Sequence, residues 1–470
     1  RHACNKPEDS CEVAKRLQTL TLYPELNLYQ VSDLLLGVRV ANDDLRRVAD
    51  LEKLSAATGM SLCVQMPEAF ATQRRYEGPY LAVFNASGGW DTTYLMDPKG
   101  TPELNSLYTH TQILREGNIR FAPTEGRIAS DDMTNREFFS RYGSELLVVN
   151  GIDVSVNNHT PCSRYVATGE LDSLVYPTFP ALVAAIRCPE VPLAFMTFGQ
   201  YSGTGNLLPQ TRVPYLTSLR RLAGGDYANE ARTRTFHHES VSDRIESALL
   251  EAGEEGHSLP RVARARDFVL NAQLGSKSFD RIVPHIPERA PGNRFFEQCE
   301  IALAAFVSGL GVSANMSLGT FDSHNSNDPD QMALIPDFLA GIDYMMTRAE
   351  QIGIRDQLIV IIQSEMGRTP WYNQTGGKDH WSINSMMAMG PGIVGNRVVG
   401  STGVNPETGF DLSPALVNPA TLSEDSQGIR IRPQHIQQAQ RALFGIEDHP
   451  LAARFDLGVS EQERLVGLFG

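Results

Sequence analysis

None of the six cysteines, at positions 4, 11, 63, 162, 188 and 299, is spaced as a CxxC pair. Zinc-ribbon and thioredoxin-like chemistry therefore have no foothold. No apolar stretch is long and clean enough to read as a membrane span. The best, residues 301–321, is broken by Ser308, Gly309, Gly311 and Ser313 and runs into Asp322. A buried helix followed by a strand accounts for it better. Positive charge is also in short supply: 41 Lys and Arg against 55 Asp and Glu leave a net charge of -14. Nucleic acid and anionic membranes are disfavoured as partners, because like charge repels. Internal repeats and low-complexity tracts are missing too.

What is present is an ordinary globular composition, with 41% hydrophobic and 20% charged residues over 470 positions. That length can bury a large core, as one big domain or two ordinary ones. An acidic surface still admits an anionic substrate, since a bound metal reverses the sign locally.

The apolar runs at residues 80–84, 145–150, 193–198 and 358–362 are rich in Val, Ile and Leu on both faces and alternate with helical stretches. This pattern predicts an α/β fold with a mostly parallel sheet covered on both sides. Residues 1–78 read as a mostly helical N-terminal extension, with amphipathic runs at 31–36 and 45–57. Residues 205–300 are charged, helical in pattern and without strand signals, which predicts a helical insertion in a domain spanning 79–470. The acidic run 243–255 reads as a solvated helix face.

In parallel sheets of this kind, ligands bind at the carboxyl ends of the strands. The informative polar clusters each follow a predicted strand. They are GGWD (88–91), the loop 157–169 with His159, Thr160 and Arg164, TFDSHN (320–325), SEMGR (364–368) and GGKDH (376–380). Carboxylates mixed with imidazoles are the usual ligands of zinc or a related divalent ion. Asp91, Asp322, His324, Glu365 and His380 are therefore the expected metal ligands. Asp322 and His324, two apart in an extended segment, would point the same way. Arg164 and Arg368 could clamp an anionic group through their planar forks.

The ordered set GGWD, FDSH, SEMGRTP and GGKDH, with MGPGIVG (389–395) and VVGST (398–402), resembles the exported bacterial family called domain of unknown function fifteen hundred and one. The resemblance covers about residues 79–450. It implies a branch of the alkaline phosphatase and sulfatase superfamily, a doubly wound sheet, and a site for one or two metals. In that comparison Asp322, His324 and His380 resemble the ligands of one metal, and Asp91 the early aspartate of a second. Glu365 stands where relatives have the first residue of a ligand pair, but Met366 occupies the place of a common histidine. The position expected for a Ser, Thr or Cys nucleophile, ten residues before Gly169, is His159. Its role stays open between a metal ligand, a nitrogen nucleophile and a relic. Thr160, Cys162 and Ser163 nearby, or Thr92 and Thr93, could supply a displaced hydroxyl or thiol.

The resemblance implies metal-dependent hydrolysis of a phosphate or sulfate ester, with zinc the expected metal and calcium or magnesium less expected, because histidine suits hard ions poorly. The substrate class would be a small anionic ester or a sulfated or phosphorylated glycan. The rival is a non-catalytic, metal-stabilised binding or scaffold subunit with a partner protein in an exported or cell-surface assembly. A periplasmic or extracellular location is expected, since the family is exported and the sequence opens on Arg1 rather than Met. Disulfides Cys4–Cys11 and Cys162–Cys188 would fit that compartment.

Overall fold

The run YLAVFNA forms β1 (Tyr80–Ala86), a strand buried along its whole length. In the computed structural model it sits inside a seven-stranded sheet with β2 (Leu147–Asp153), β3 (Leu193–Thr197), β4 (Gly311–Leu318), β5 (Leu358–Ser364), β6 (Ile383–Met389) and β7 (Arg397–Val399). The order across the sheet is β7-β2-β6-β5-β1-β4-β3. Residues 75–124, 132–223, 278–404 and 412–470 are described, with isolated positions between 244 and 269. All lie within one compact unit, Cys63–Gly470. The expected N-terminal extension (1–78) lies outside the described residues as far as position 74, and so does much of 224–277 in the expected insertion (205–300).

β1 pairs in parallel with β4 and β5, β3 with β4, and β7 with β2. Only β6 runs the other way, antiparallel to both β2 and β5. The sheet is therefore mostly parallel, as expected, with one reversed strand that the apolar pattern of its sequence, INSMMAM, did not announce. Six strands end at one edge of the sheet, and β6 begins there. A residue just before β6 thus reaches the same edge as residues just after the others.

Helices α1 (Asn135–Tyr142), α2 (His159–Thr168), α3 (Phe179–Arg187), α4 (Leu216–Leu222), α5 (Arg294–Val307), α6 (Asn327–Gln351) and α7 (Pro433–Leu443) complete the frame. The apolar stretch that begins at Ile301 resolves as the end of α5 followed by β4. Among the described residues no helix is long and apolar enough to cross a membrane. α5 and α6 pack beside each other, and the ring of Phe338 on α6 stacks on that of Phe295 on α5. α2 starts at His159 with Pro161 in its first turn, where a missing N–H costs nothing. It stops at Gly169, whose φ of 76° is the left-handed conformation glycine adopts freely.

Candidate metal centre

Three loops bring imidazoles and a carboxylate together at the carboxyl edge. Asp322 and His324 follow β4, His159 opens α2 after β2, and His380 lies three residues before β6. The Nε2 atoms of His324 and His380 are 3.0 Å apart. Asp322 Oδ1 lies 3.0 Å from the first and 3.3 Å from the second. Four ligands at about 2.0–2.1 Å from a tetrahedral zinc are separated by roughly 3.3 Å, so this triangle has the dimensions of one face of such a shell. His159 Nε2 stands 3.4 Å from the other Asp322 oxygen. The donor atoms of His159, Asp322 and His380 all lie within 4.8 Å of one another.

The second nitrogen of each ring faces an acceptor. His324 Nδ1 is 2.8 Å from Asp379 Oδ1, His380 Nδ1 is 2.8 Å from the Asn157 carbonyl, and His159 Nδ1 is 3.1 Å from Glu365 Oε1. Protons on these Nδ1 atoms leave three Nε2 lone pairs facing the Asp322 carboxylate. Lone pairs 3.0 Å apart repel unless a proton or cation is shared between them. The donor set therefore fits a divalent ion, with the outer acceptors that metal-bound histidines usually have.

The electrostatics agree with this arrangement. Partial burial works against ionisation of Asp322, but the hydrogen bond from Arg368 (2.6 Å) and its charge hold the carboxyl below its ordinary range. The hydrogen bond to Glu365 raises the His159 pKa above that of a free imidazole, against the opposing effect of burial. The hydrogen bond to His324 keeps Asp379 low.

Several sequence expectations need correction. Asp91 holds no metal position. It is fully buried, its Oδ2 is taken by Lys378 Nζ at 2.7 Å and Asn327 Nδ2 at 2.9 Å, and its Oδ1 accepts from Thr93. Those bonds also remove Thr93 as a nucleophile, and Thr92 is buried beside it. Glu365 stands outside the donor group of His159, Asp322 and His380 and faces His159 from behind. Its oxygens accept from Gly88 N (2.7 Å), His159 Nδ1, Gln200 Nε2 (3.1 Å) and Ser364 Oγ (3.4 Å), which fills them with donors. Met366 packs in an apolar cluster with Val154, Cys162 and Tyr165.

Both candidate clamp arginines donate to internal partners. Arg164 binds the Leu171 carbonyl through Nε (2.9 Å) and a terminal nitrogen. Arg368 is almost fully buried and donates to the carbonyls of Gly88, Gly89 and Lys378 as well as to Asp322. The Cys162–Cys188 bridge does not form. Cys162 is a free, buried thiol that donates to the Val156 carbonyl, and burial pushes its pKa up to about 12. Cys4 and Cys11 lie outside the described residues.

Three contributors escaped the sequence reading: Asp379, Lys378 and Gln200. Asp379 sits beside His380 in GGKDH, and a carboxylate adjacent to a candidate ligand was the available signal. Gln200 carried none.

A pocket of about 380 Å³ adjoins the cluster on its His159 and Asp322 side, lined also by Ser87, Gly88, Thr160, Ser163, Gln200, Tyr201, Thr320 and Glu365. Gly377 packs so tightly on the loop carrying His324 that a Cβ there would sit 1.8 Å from the His324 carbonyl oxygen. Gly377→Ala must push the GGKDH hairpin off the FDSH loop. The expected result is a loss of about 1–3 kcal/mol of stability and weaker metal binding, read by thermal unfolding with and without added zinc.

Residues 254–427 match the family model described as "Protein of unknown function (DUF1501)". That span holds three of the four motifs, and GGWD lies before it. No curated protein matches the sequence. Among solved structures, the chain is similar to the PsFucS1 sulfatase from Pseudoalteromonas sp., at 11% identity and TM-score 0.35, over 85% of this chain and 71% of that one. It is similar to a TAB5 alkaline phosphatase mutant at 11% identity and TM-score 0.31, over 68% and 93%. The lipoteichoic acid synthase LtaP from Listeria monocytogenes is also similar, at 9% identity and TM-score 0.30, over 74% of each chain.

Proposed function

We propose that this chain, which carries the DUF1501 match across its metal-centre motifs, is a zinc-dependent hydrolase of sulfate or phosphate esters. The observation that carries the reading is the donor triangle of Asp322, His324 and His380, with edges of 3.0, 3.0 and 3.3 Å. Each imidazole of the cluster is oriented from behind by a carboxylate or a carbonyl. His159 is the fourth donor.

Bound there, a divalent ion supplies a Lewis acid that polarises the ester oxygen and stabilises charge developing on it. The chain's own residues do the rest. Glu365 and Asp379 fix the His159 and His324 rings, and Arg368 fixes Asp322. Thr160 and Ser163, on the first turns of α2, place hydroxyls along the pocket wall where they can orient the leaving group or the attacking oxygen. None of the lining residues is Lys or Arg. A single anionic group facing the centre, attached to a neutral polyhydroxylated remainder, matches the hydroxyls of Ser87, Thr160, Ser163 and Thr320, the Gln200 amide and the Tyr201 ring. A sulfated or phosphorylated sugar has that character. The export expected from the motif resemblance would place such an enzyme outside the cytoplasm.

One observation favours the rival, a metal-stabilised scaffold or binding subunit. Both candidate anion-binding arginines donate to internal partners, and neither lines the pocket. Elemental analysis of native protein, run with a screen of aryl and sugar sulfate and phosphate monoesters, separates the two. About one zinc per chain with turnover supports the hydrolase. Metal without turnover supports the scaffold, and a chain that binds no metal overturns both.

A further inference from the structure

We propose that the buried Lys378–Asp91 ion pair is the positioning device of the metal centre, setting the hairpin that carries Asp379 and His380 against the loop that carries Asp322 and His324. The proposal rests on the metal-centre reading above.

Lys378 and Asp91 have fully buried side chains, and Nζ lies 2.7 Å from Oδ2. A charge pair in that position is costly to desolvate and gives little net stability over an apolar pair of similar volume. Its geometry, by contrast, is tightly specified. The ammonium also donates to the Leu104 carbonyl at 2.5 Å and lies 5.3 and 5.0 Å from the ring centres of Tyr94 and Tyr372. The two hydroxyls of those rings hydrogen-bond each other, and both reach Asp328 near the start of α6. Burial, then the nearby Asp91 charge, keeps Tyr94 a neutral phenol.

The main chain of Lys378 joins the two ligand loops directly. Its N–H donates to the Ser323 carbonyl at 3.1 Å, between Asp322 and His324. Its carbonyl accepts from Arg368, the same guanidinium that holds Asp322. Next along the chain are Asp379, which orients His324, and His380, a donor of the triangle. From the other side, Asp91 accepts from Asn327, whose Oδ1 accepts from Ser323 Oγ. Gln331 accepts from the Asp91 N–H and donates to the Phe321 carbonyl. The pair is thus a clasp among the β1, β4 and pre-β6 loops, and neither of its charges faces the pocket.

Replacing one partner alone leaves an uncompensated buried charge and is prone to misfolding. The test therefore uses the Asp91→Asn, Lys378→Met double variant and Lys378→Arg, with full-length protein, cobalt(II) as a spectroscopic stand-in for zinc, and thermal unfolding of the metal-free form. The double variant is expected to keep most of the metal-free melting temperature. It should bind cobalt roughly 10–100-fold more weakly, the range for loss of an outer-shell partner, with altered visible bands. Lys378→Arg, which retains the charge, should recover part of the affinity. A folded variant with unchanged affinity and bands overturns the positioning role, and Lys378→Arg decides if the double variant fails to fold. Wild-type protein that binds no cobalt or zinc overturns the metal-centre reading itself, a separate result.

Discussion

The Asp322→Ala, His324→Ala double variant is expected to purify with essentially no bound metal and no ester turnover. It removes three of the donor atoms that meet at the centre, including both Asp322 oxygens. His159 and His380 alone cannot close a shell. The loss should also appear as stability. A ligand held at a thousand times its dissociation constant stabilises the folded state by about 4 kcal/mol, so zinc should raise the melting temperature of the wild type and not of the variant. The comparison is best made at neutral pH. Asp322 has a depressed pKa, with the Arg368 hydrogen bond and charge outweighing the opposing effect of burial. A depressed carboxylate contributes stability that is present above its unfolded pKa and lost as pH falls through the folded one. The variant should therefore lack part of the acid limb of the wild-type stability curve. Full metal stoichiometry in the variant, measured by elemental analysis, would sink the assignment.

The parts of this centre legible in the sequence are those that obey a local rule. Four apolar runs gave four parallel strands, and the carboxyl-edge rule then placed Asp322, His324 and Glu365 at one edge. His380 was legible as a residue type, but its route to the site was not. It depends on β6 running backwards, and no apolar alternation marks that strand. Asp91 shows the opposite failure. A buried Asp after a strand and two glycines reads as a ligand, and the residue that claims it stands 287 positions further along the chain. Whether a carboxylate meets a metal or an ammonium is decided by packing, which spacing alone does not encode. The same holds for Arg164 and Arg368, whose forks fit a substrate anion and backbone carbonyls equally well until the loops are in place. Glu365 reads from the sequence as a ligand, and its place behind His159 follows from the donors that face its oxygens.

Glu365→Gln should separate the orienting role from a ligand role. Oε1 accepts from Gly88 N–H and His159 Nδ1, and Oε2 from Gln200 and Ser364. A glutamine has one acceptor oxygen, so one of those pairs of donors meets an NH₂ group instead. If Glu365 orients His159, the metal stays bound through Asp322, His324 and His380 while affinity at neutral pH falls about 10–100-fold. The pH profile changes in shape as well as in level. His159 has a raised pKa chiefly because Glu365 accepts its hydrogen bond, and a protonated imidazole competes with metal. Removing the carboxylate lowers that pKa, so the weaker affinity of the variant should stay level to lower pH than that of the wild type before it begins to fall. A ligand role predicts something different: one donor fewer, a changed cobalt spectrum from a lost oxygen, and an affinity that begins to fall at the same pH as in the wild type. Zinc affinities of wild type and variant measured from pH 5 to 8 read both effects. A weaker site whose affinity begins to fall at an unmoved or higher pH would refute the orienting role.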